Sequence, residues 1–185
     1  MRDFKLFVNI LLAIIFVIPN FSASASKISE DISFLNADNK KINLEAFENN
    51  VILIHFWATW CAPCTTEMQV IDKLQKDYRK RPFKVLALSE DYKGIEAVKS
   101  FYKKHDIKYL DEFIDDKNAI FKDMMIPSLP FSVLIDKSGN IVETYKGAVN
   151  WNDEEIRTTI ELELKEIEGE VTELPETNAD GKTAG

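Results

Sequence analysis

The chain has only two cysteines and two histidines among 185 residues. Two cysteines leave room for one bridge at most. A structural zinc site, which collects four ligands, would need every one of these four side chains, and His105 stands far from the rest. Basic residues are also short: 23 Lys and Arg face 31 Asp and Glu, for a formal net charge of -8. That balance excludes nonspecific nucleic-acid binding, which depends on clustered Lys and Arg to neutralise phosphates. There is no internal repeat, and no apolar run reaches the ~20 residues of a comfortable membrane-spanning helix. What is present is 45% hydrophobic and 11% aromatic residues, enough for one domain with its own core.

The amino terminus places Arg2 and Lys5 ahead of an apolar run from Leu6 to Ile18, followed by Pro19 and the small residues Ala23-Ser24-Ala25. This is the build of a secretory signal peptide cleaved near Ala25, or of a short retained anchor over Phe4 to Phe21. A buried amphipathic first helix is excluded because the run has no polar face. Residues 1–25 are therefore read as signal peptide or membrane anchor, with the remainder outside the cytoplasm. The acidic excess lies partly in the last residues, where Glu166, Glu168, Glu170, Glu173, Glu176 and Asp180 face only Lys182. Poor in large apolar groups, residues 169–185 read as an acidic disordered tail. The domain spans 26–168.

Within it, ISFLNADNKKINL places two short strands around a polar turn. VILIHFWA is a continuous apolar, β-branched run that fits a strand buried on both faces. Met68, Ile71, Leu74 and Tyr78 recur at helical spacing, and Arg79 to Pro82 close that helix. KVLALS is a further buried strand. Ile95, Val98, Phe101 and Tyr102 mark a second helix, with His105 as a C-terminal cation. A short run at Phe113-Ile114, a short helix near Asn118 to Met125, and a hairpin formed by SVLID and IVETYKG follow. Asn152-Asp153 caps a last helix with Ile156, Ile160, Leu164 and Ile167 inward. This order predicts an α/β fold, a central mixed sheet with helices on both faces.

The two cysteines, Cys61 and Cys64, directly follow the buried strand. As a staple they would close a loop worth only roughly 2 kcal/mol of chain entropy. As a metal site they lack partners of zinc spacing. Two thiolates and the imidazole of His55 suit copper by ligand preference, but His55 lies six residues upstream in a strand and no downstream ligand motif follows. Exchange chemistry explains more. At a strand-to-helix junction the first sulfur meets unpaired N–H groups and the helix dipole, which stabilise a thiolate. Pro63 suits the first turn, where a missing N–H costs nothing. Cys61 can attack a disulfide, and Cys64, one turn on, can resolve the mixed disulfide.

The stretch WATWCAPC, Trp57 to Cys64, resembles the active-site motif of the thioredoxin superfamily in its TlpA/ResA-like branch of extracytoplasmic thiol-disulfide oxidoreductases. The resemblance runs from about Ile32 to Leu164. VLALSEDYKGIEAVKSFYKKHDI is similar to the strand and inserted helix of that branch, LPFSVLIDKSGNIVETYKG to its second motif, and GAVNW to TlpA-like members. It implies a thioredoxin-like fold with an N-terminal hairpin and an inserted helix. Cys61 would be the exposed nucleophile, Cys64 the buried resolving thiol, and Pro130 a cis-proline beside them, with the Leu129 backbone pairing to an extended substrate. Pro127 has the wrong spacing to Asp136. Glu67 matches an acidic residue that tunes the cysteines, although a first-turn glutamate also simply suits the helix dipole. Trp57 and Trp60 would frame the disulfide.

Two positions depart from the branch. His55 stands where thioredoxins carry a buried Asp and TlpA-like members Asn; it reads either as a hydrogen-bonded core residue or as a replacement for that Asp in proton handling. Gln69 replaces a helix-kinking proline. The function implied is reduction of client disulfides in the cell envelope, of the cytochrome c or copper-oxidase maturation type, without a cofactor and recharged by a membrane electron donor. A disulfide-forming oxidase and a copper chaperone using the same cysteines are the alternatives. A peroxidase is disfavoured: the Thr and Pro that peroxiredoxins carry three and seven residues before the reactive cysteine are here Ala58 and Ile54.

Overall fold

The computed structural model describes residue 28 and residues 32–173. The signal or anchor segment over 1–25 and the chain beyond 173 lie outside the described residues. Among those described, no helix is long and apolar enough to cross a membrane.

Strand β1 (Ser33–Asn36) turns into β2 (Lys41–Asn43) as an antiparallel hairpin, followed by a 3-10 turn at Leu44–Phe47. The Asn36 side chain closes the turn by accepting from the Asp38 and Lys40 N–H groups. Then come β3 (Val51–Trp57), α1 (Ala62–Tyr78), β4 (Phe83–Ser89), α2 (Ile95–His105), β5 (Phe113–Ile114), α3 (Ala119–Asp123), β6 (Phe131–Ile135), β7 (Ile141–Lys146) and α4 (Glu154–Glu173). The last helix continues past residue 168, where the sequence places the domain's end. Asp153 begins it, accepting from the Glu155 N–H at 2.9 Å.

Seven strands form one mixed sheet in the order β2-β1-β5-β4-β3-β6-β7. Strands β3, β4 and β5 are parallel, and antiparallel hairpins close both edges. Every residue of β3 is buried, as an unbroken apolar run requires of a central strand. Its alternate side chains feed two cores. Val51, Leu53 and Trp57 meet Met68, Ile71, Leu74, Val98 and Leu164 on one face; Ile52, Ile54 and Phe56 meet Phe34, Ile120 and Phe131 on the other. Helices do cover both faces, unevenly: α1, α2 and α4 share one, and the short α3 lies on the other. This is a thioredoxin-like α/β fold, in which α1 starts beyond the C-terminal end of β3 and crosses back to the N-terminal end of the parallel β4.

Candidate active site

Cys61 is the N-cap of α1, with extended backbone, and the Cys64 N–H donates to its sulfur at 3.4 Å. Pro63 occupies the first turn. The two sulfurs are joined in a disulfide, the Cα atoms 5.3 Å apart. The expectation of an exposed Cys61 needs correction for this oxidised state. Cys61 is the more accessible of the pair but only 6% exposed, against 0% for Cys64. Trp60, the preceding residue, is the exposed rim aromatic at 58%. Trp57 is fully buried, its indole stacked on Tyr102 and tilted against Phe101, so it supports the site from within the core.

The Leu129–Pro130 peptide bond is cis. The register Phe56↔Phe131 between β3 and β6 brings Pro130 beside the last residue of β3, at the edge from which the cysteines emerge. Pro130 is buried, Leu129 half-buried, and the Pro130 carbonyl accepts from the Gly147 N–H at 2.9 Å.

Glu67 lies three residues after Cys64, hence on the same face of α1. It is not a solvated first-turn glutamate. Its side chain is buried, with Oε1 accepting from the Val149 N–H at 2.6 Å and from the Trp151 indole Nε1–H at 3.1 Å. Oε2 is buried without a hydrogen-bond partner among the described residues. Burial pushes the Glu67 carboxyl above the ordinary range, and the two donors oppose that rise. Beside it, Thr66, Val70, Ala148 and Asn150 help line a cleft of about 270 Å³. Both hydrogen-bond donors to Glu67 belong to the segment GAVNW, Gly147 to Trp151, whose likeness to TlpA-like members carries no role for them by itself.

His55 is wholly buried on the α1 side of β3. Its Nδ1 pairs with the Ser132 hydroxyl at 2.8 Å, and its ring meets the Trp151 indole edge-on at 6.1 Å. Desolvation pushes its pKa down to about 3, so the imidazole is neutral at pH 7. Its Nε2 has no hydrogen-bond partner among the described residues. Among the described residues, no group of three His, Cys, Asp or Glu side chains is placed to hold a metal ion. Gln69, in place of the proline, donates from Nε2 to the His105 carbonyl at 3.2 Å and ties α1 to the end of α2.

Sequence reasoning missed a second set of polar residues at the same edge. The Asp91 carboxylate accepts from the Thr59 N–H (2.9 Å), the Thr59 hydroxyl (2.7 Å) and the Ser89 hydroxyl (2.7 Å). The Glu90 carboxyl is buried against Asp115 and accepts from the Asn118 amide; burial first, then the neighbouring Asp115, push its pKa up to about 8.

A disulfide of Cys-x-x-Cys spacing on a helix start, at the C-terminal edge of this sheet and next to a cis-proline strand, defines a thioredoxin-like protein of thiol-disulfide exchange. Comparison with known proteins agrees. The chain is 35% identical over 130 residues to the thiol-disulfide oxidoreductase ResA of Bacillus thuringiensis subsp. konkukian, covering 70% of each protein. The exposed lipoprotein thioredoxin of Streptococcus pneumoniae superposes with a TM-score of 0.59 at 25% identity, over 70% of this chain and 98% of that one. A thioredoxin-family thiol:disulfide interchange protein of Chlorobium tepidum shares the fold, with a TM-score of 0.61 at 22% identity over 77% and 99%. Residues 18–160 match the Redoxin family, and the chain belongs to it as a thiol-disulfide oxidoreductase of ResA type.

Proposed function

We propose that the protein is a cell-envelope reductase of protein disulfides, in which reduced Cys61 attacks a client disulfide and Cys64 releases the client as a dithiol. Electrons pass from the Cys61–Cys64 dithiol to the client, leaving the disulfide seen here. In this reading Cys61, Cys64, Glu67 and Pro130 do the chemistry, and Trp57, Trp60, Pro63, His55 and Leu129 frame it.

The observation that carries the direction is the buried Glu67 carboxyl one turn beyond Cys64. A pair becomes a strong oxidant when its reduced, thiolate form is stabilised. A buried acid on the same helix face opposes a thiolate, and the neutral His55 supplies no compensating charge. Both weigh toward a reducing pair. Redox titration tests this: a potential near thioredoxin's ~-270 mV supports the reductase, and one near ~-120 mV supports a disulfide-forming oxidase.

The likeness to ResA and the apolar run before Ala25 support an envelope location, by cleaved signal or retained anchor, with clients of the cytochrome c or copper-oxidase maturation type and a membrane donor that recharges the pair. Expressing Cys64→Ser in the native envelope and identifying proteins disulfide-linked to Cys61 tests the client class. An empty trap speaks against the reductase. Sequencing the amino terminus of the mature protein distinguishes cleavage near Ala25 from an intact anchor.

A further inference from the structure

Two exposed aromatic residues, Trp60 and Tyr92, follow the C-terminal ends of the neighbouring parallel strands β3 and β4. Trp57 of β3 and Ser89 of β4 are register partners in a parallel pair. Trp60 stands three residues beyond the first and Tyr92 three beyond the second. The ladder continues past the strand ends, with the Glu90 N–H donating to the Trp57 carbonyl at 2.8 Å. Asp91 then bolts the two loops together. Its carboxylate takes both polar groups of Thr59, the residue before Trp60, and is braced by the Ser89 hydroxyl. Asp91 itself is buried while its neighbour Tyr92 is 79% exposed. A desolvated carboxylate persists only where donors satisfy it, so the three bonds at 2.7–2.9 Å fix the loop that carries Tyr92 against the turn that carries Cys61.

A single exposed tyrosine is ordinary on a protein surface. Here a buried anchor, Asp91, precedes one directly and is bonded to Thr59 in the turn between β3 and Cys61, which carries a second exposed aromatic, Trp60. We propose that Tyr92 is a specificity-determining contact for the client, docking an apolar or aromatic side chain next to the client's disulfide, and that Asp91 is the positioning residue that holds Tyr92 on the same rim as Trp60. The ligand is an extended polypeptide segment rather than a small disulfide, because two spaced aromatic rings offer contact only to groups flanking the reacting sulfurs. This inference rests on the reading of the protein as an enzyme of protein disulfides.

The test mixes the reduced full chain with a synthetic peptide containing one intramolecular disulfide flanked by Leu and Phe and, separately, with hydroxyethyl disulfide. Tyr92→Ala raises the half-saturating peptide concentration about tenfold, leaving the limiting rate and the hydroxyethyl disulfide reaction at their original values. Tyr92→Phe restores the peptide affinity, since the ring makes the contact. Asp91→Ala shows the same signature, and adding Tyr92→Ala to it causes less than the product of the two effects. Unchanged half-saturation in Tyr92→Ala overturns the proposal whatever Asp91→Ala does; Tyr92, being exposed, can be truncated without touching the core. A wild-type protein that reacts with hydroxyethyl disulfide but with no peptide disulfide overturns both this inference and the client reading beneath it. Peptide reduction with indifference to Tyr92 overturns the inference alone.

Discussion

The indole Nε1–H of Trp151 donates to Glu67 Oε1 at 3.1 Å, linking the start of α4 to the helix that carries the cysteines. The bond favours the ionised carboxylate against a burial effect that favours the neutral acid. Trp151→Phe removes that donor and drives the Glu67 pKa further up, so any Glu67 inflection in the pH profile of thiol alkylation moves to higher pH. Glu67→Gln abolishes the inflection. By removing a negative charge near the pair it also raises the redox potential, by on the order of 30 mV for about 1.4 kcal/mol of relieved repulsion. An alkylation profile indifferent to both substitutions removes Glu67 from the chemistry.

Glu90 sets a pH dependence of stability. In the folded protein its carboxyl keeps a proton up to about pH 8, against an ordinary value of 4.5 in the unfolded chain. Between those values the folded state binds the extra proton, so stability falls as pH rises through the window and stays lower above it. The loss at pH 9 relative to pH 4.5 from this group is on the order of a few kcal/mol. Glu90→Gln keeps an acceptor for the Asn118 amide and removes the charge that repels Asp115. Urea unfolding of this variant between pH 5 and 9 should show a flatter dependence, and greater stability than the parent at the alkaline end.

Asp72 shows how one α1 side chain holds a distant loop. Its Oδ1 accepts from three successive N–H groups, those of Lys108 (3.0 Å), Tyr109 (2.6 Å) and Leu110 (3.1 Å). These are the groups that follow the end of α2, where no further turn supplies acceptors. Asp72→Ala leaves them without their shared partner and is expected to cost on the order of 2–4 kcal/mol in urea unfolding, and Asp72→Asn less. Reactivity of the Cys61–Cys64 pair per folded molecule should be unchanged.

Much of this architecture was legible because single segments carry it. An unbroken apolar run sufficed for β3, and the spacing of Met68, Ile71, Leu74 and Tyr78 for the buried face of α1, all four buried as expected. The cysteine pair and Pro130 announced themselves by motif. What stayed hidden is carried by pairings between loops. Glu67 finds its donors 82 and 84 residues away, Thr59 finds Asp91 32 residues away, and nothing periodic in either segment points to the other. The share of helices on each face was equally invisible: amphipathic spacing says that a helix buries one stripe, not which side of the sheet receives it. The motif implies an exposed Cys61, whereas in the oxidised pair the residue is only 6% exposed, a burial set by three-dimensional packing that the motif does not encode.

His55 separates two roles that the sequence left open. A proton-handling residue beneath the cysteines needs to change its protonation near working pH, yet burial holds this imidazole neutral with a pKa of about 3. Its Nδ1 is engaged by Ser132, and its ring packs against Trp151. His55→Asn should therefore leave the shape of the alkylation profile between pH 5 and 9 unchanged. Stability should fall by on the order of 1–3 kcal/mol, as the buried Ser132 hydroxyl loses a well-placed partner and the indole loses an edge contact. Ser132→Ala should also destabilise, because it leaves the buried His55 Nδ1 without its partner. A His55→Asn profile displaced along the pH axis, with unfolding midpoints preserved, would instead assign His55 a direct part in moving the proton of Cys64.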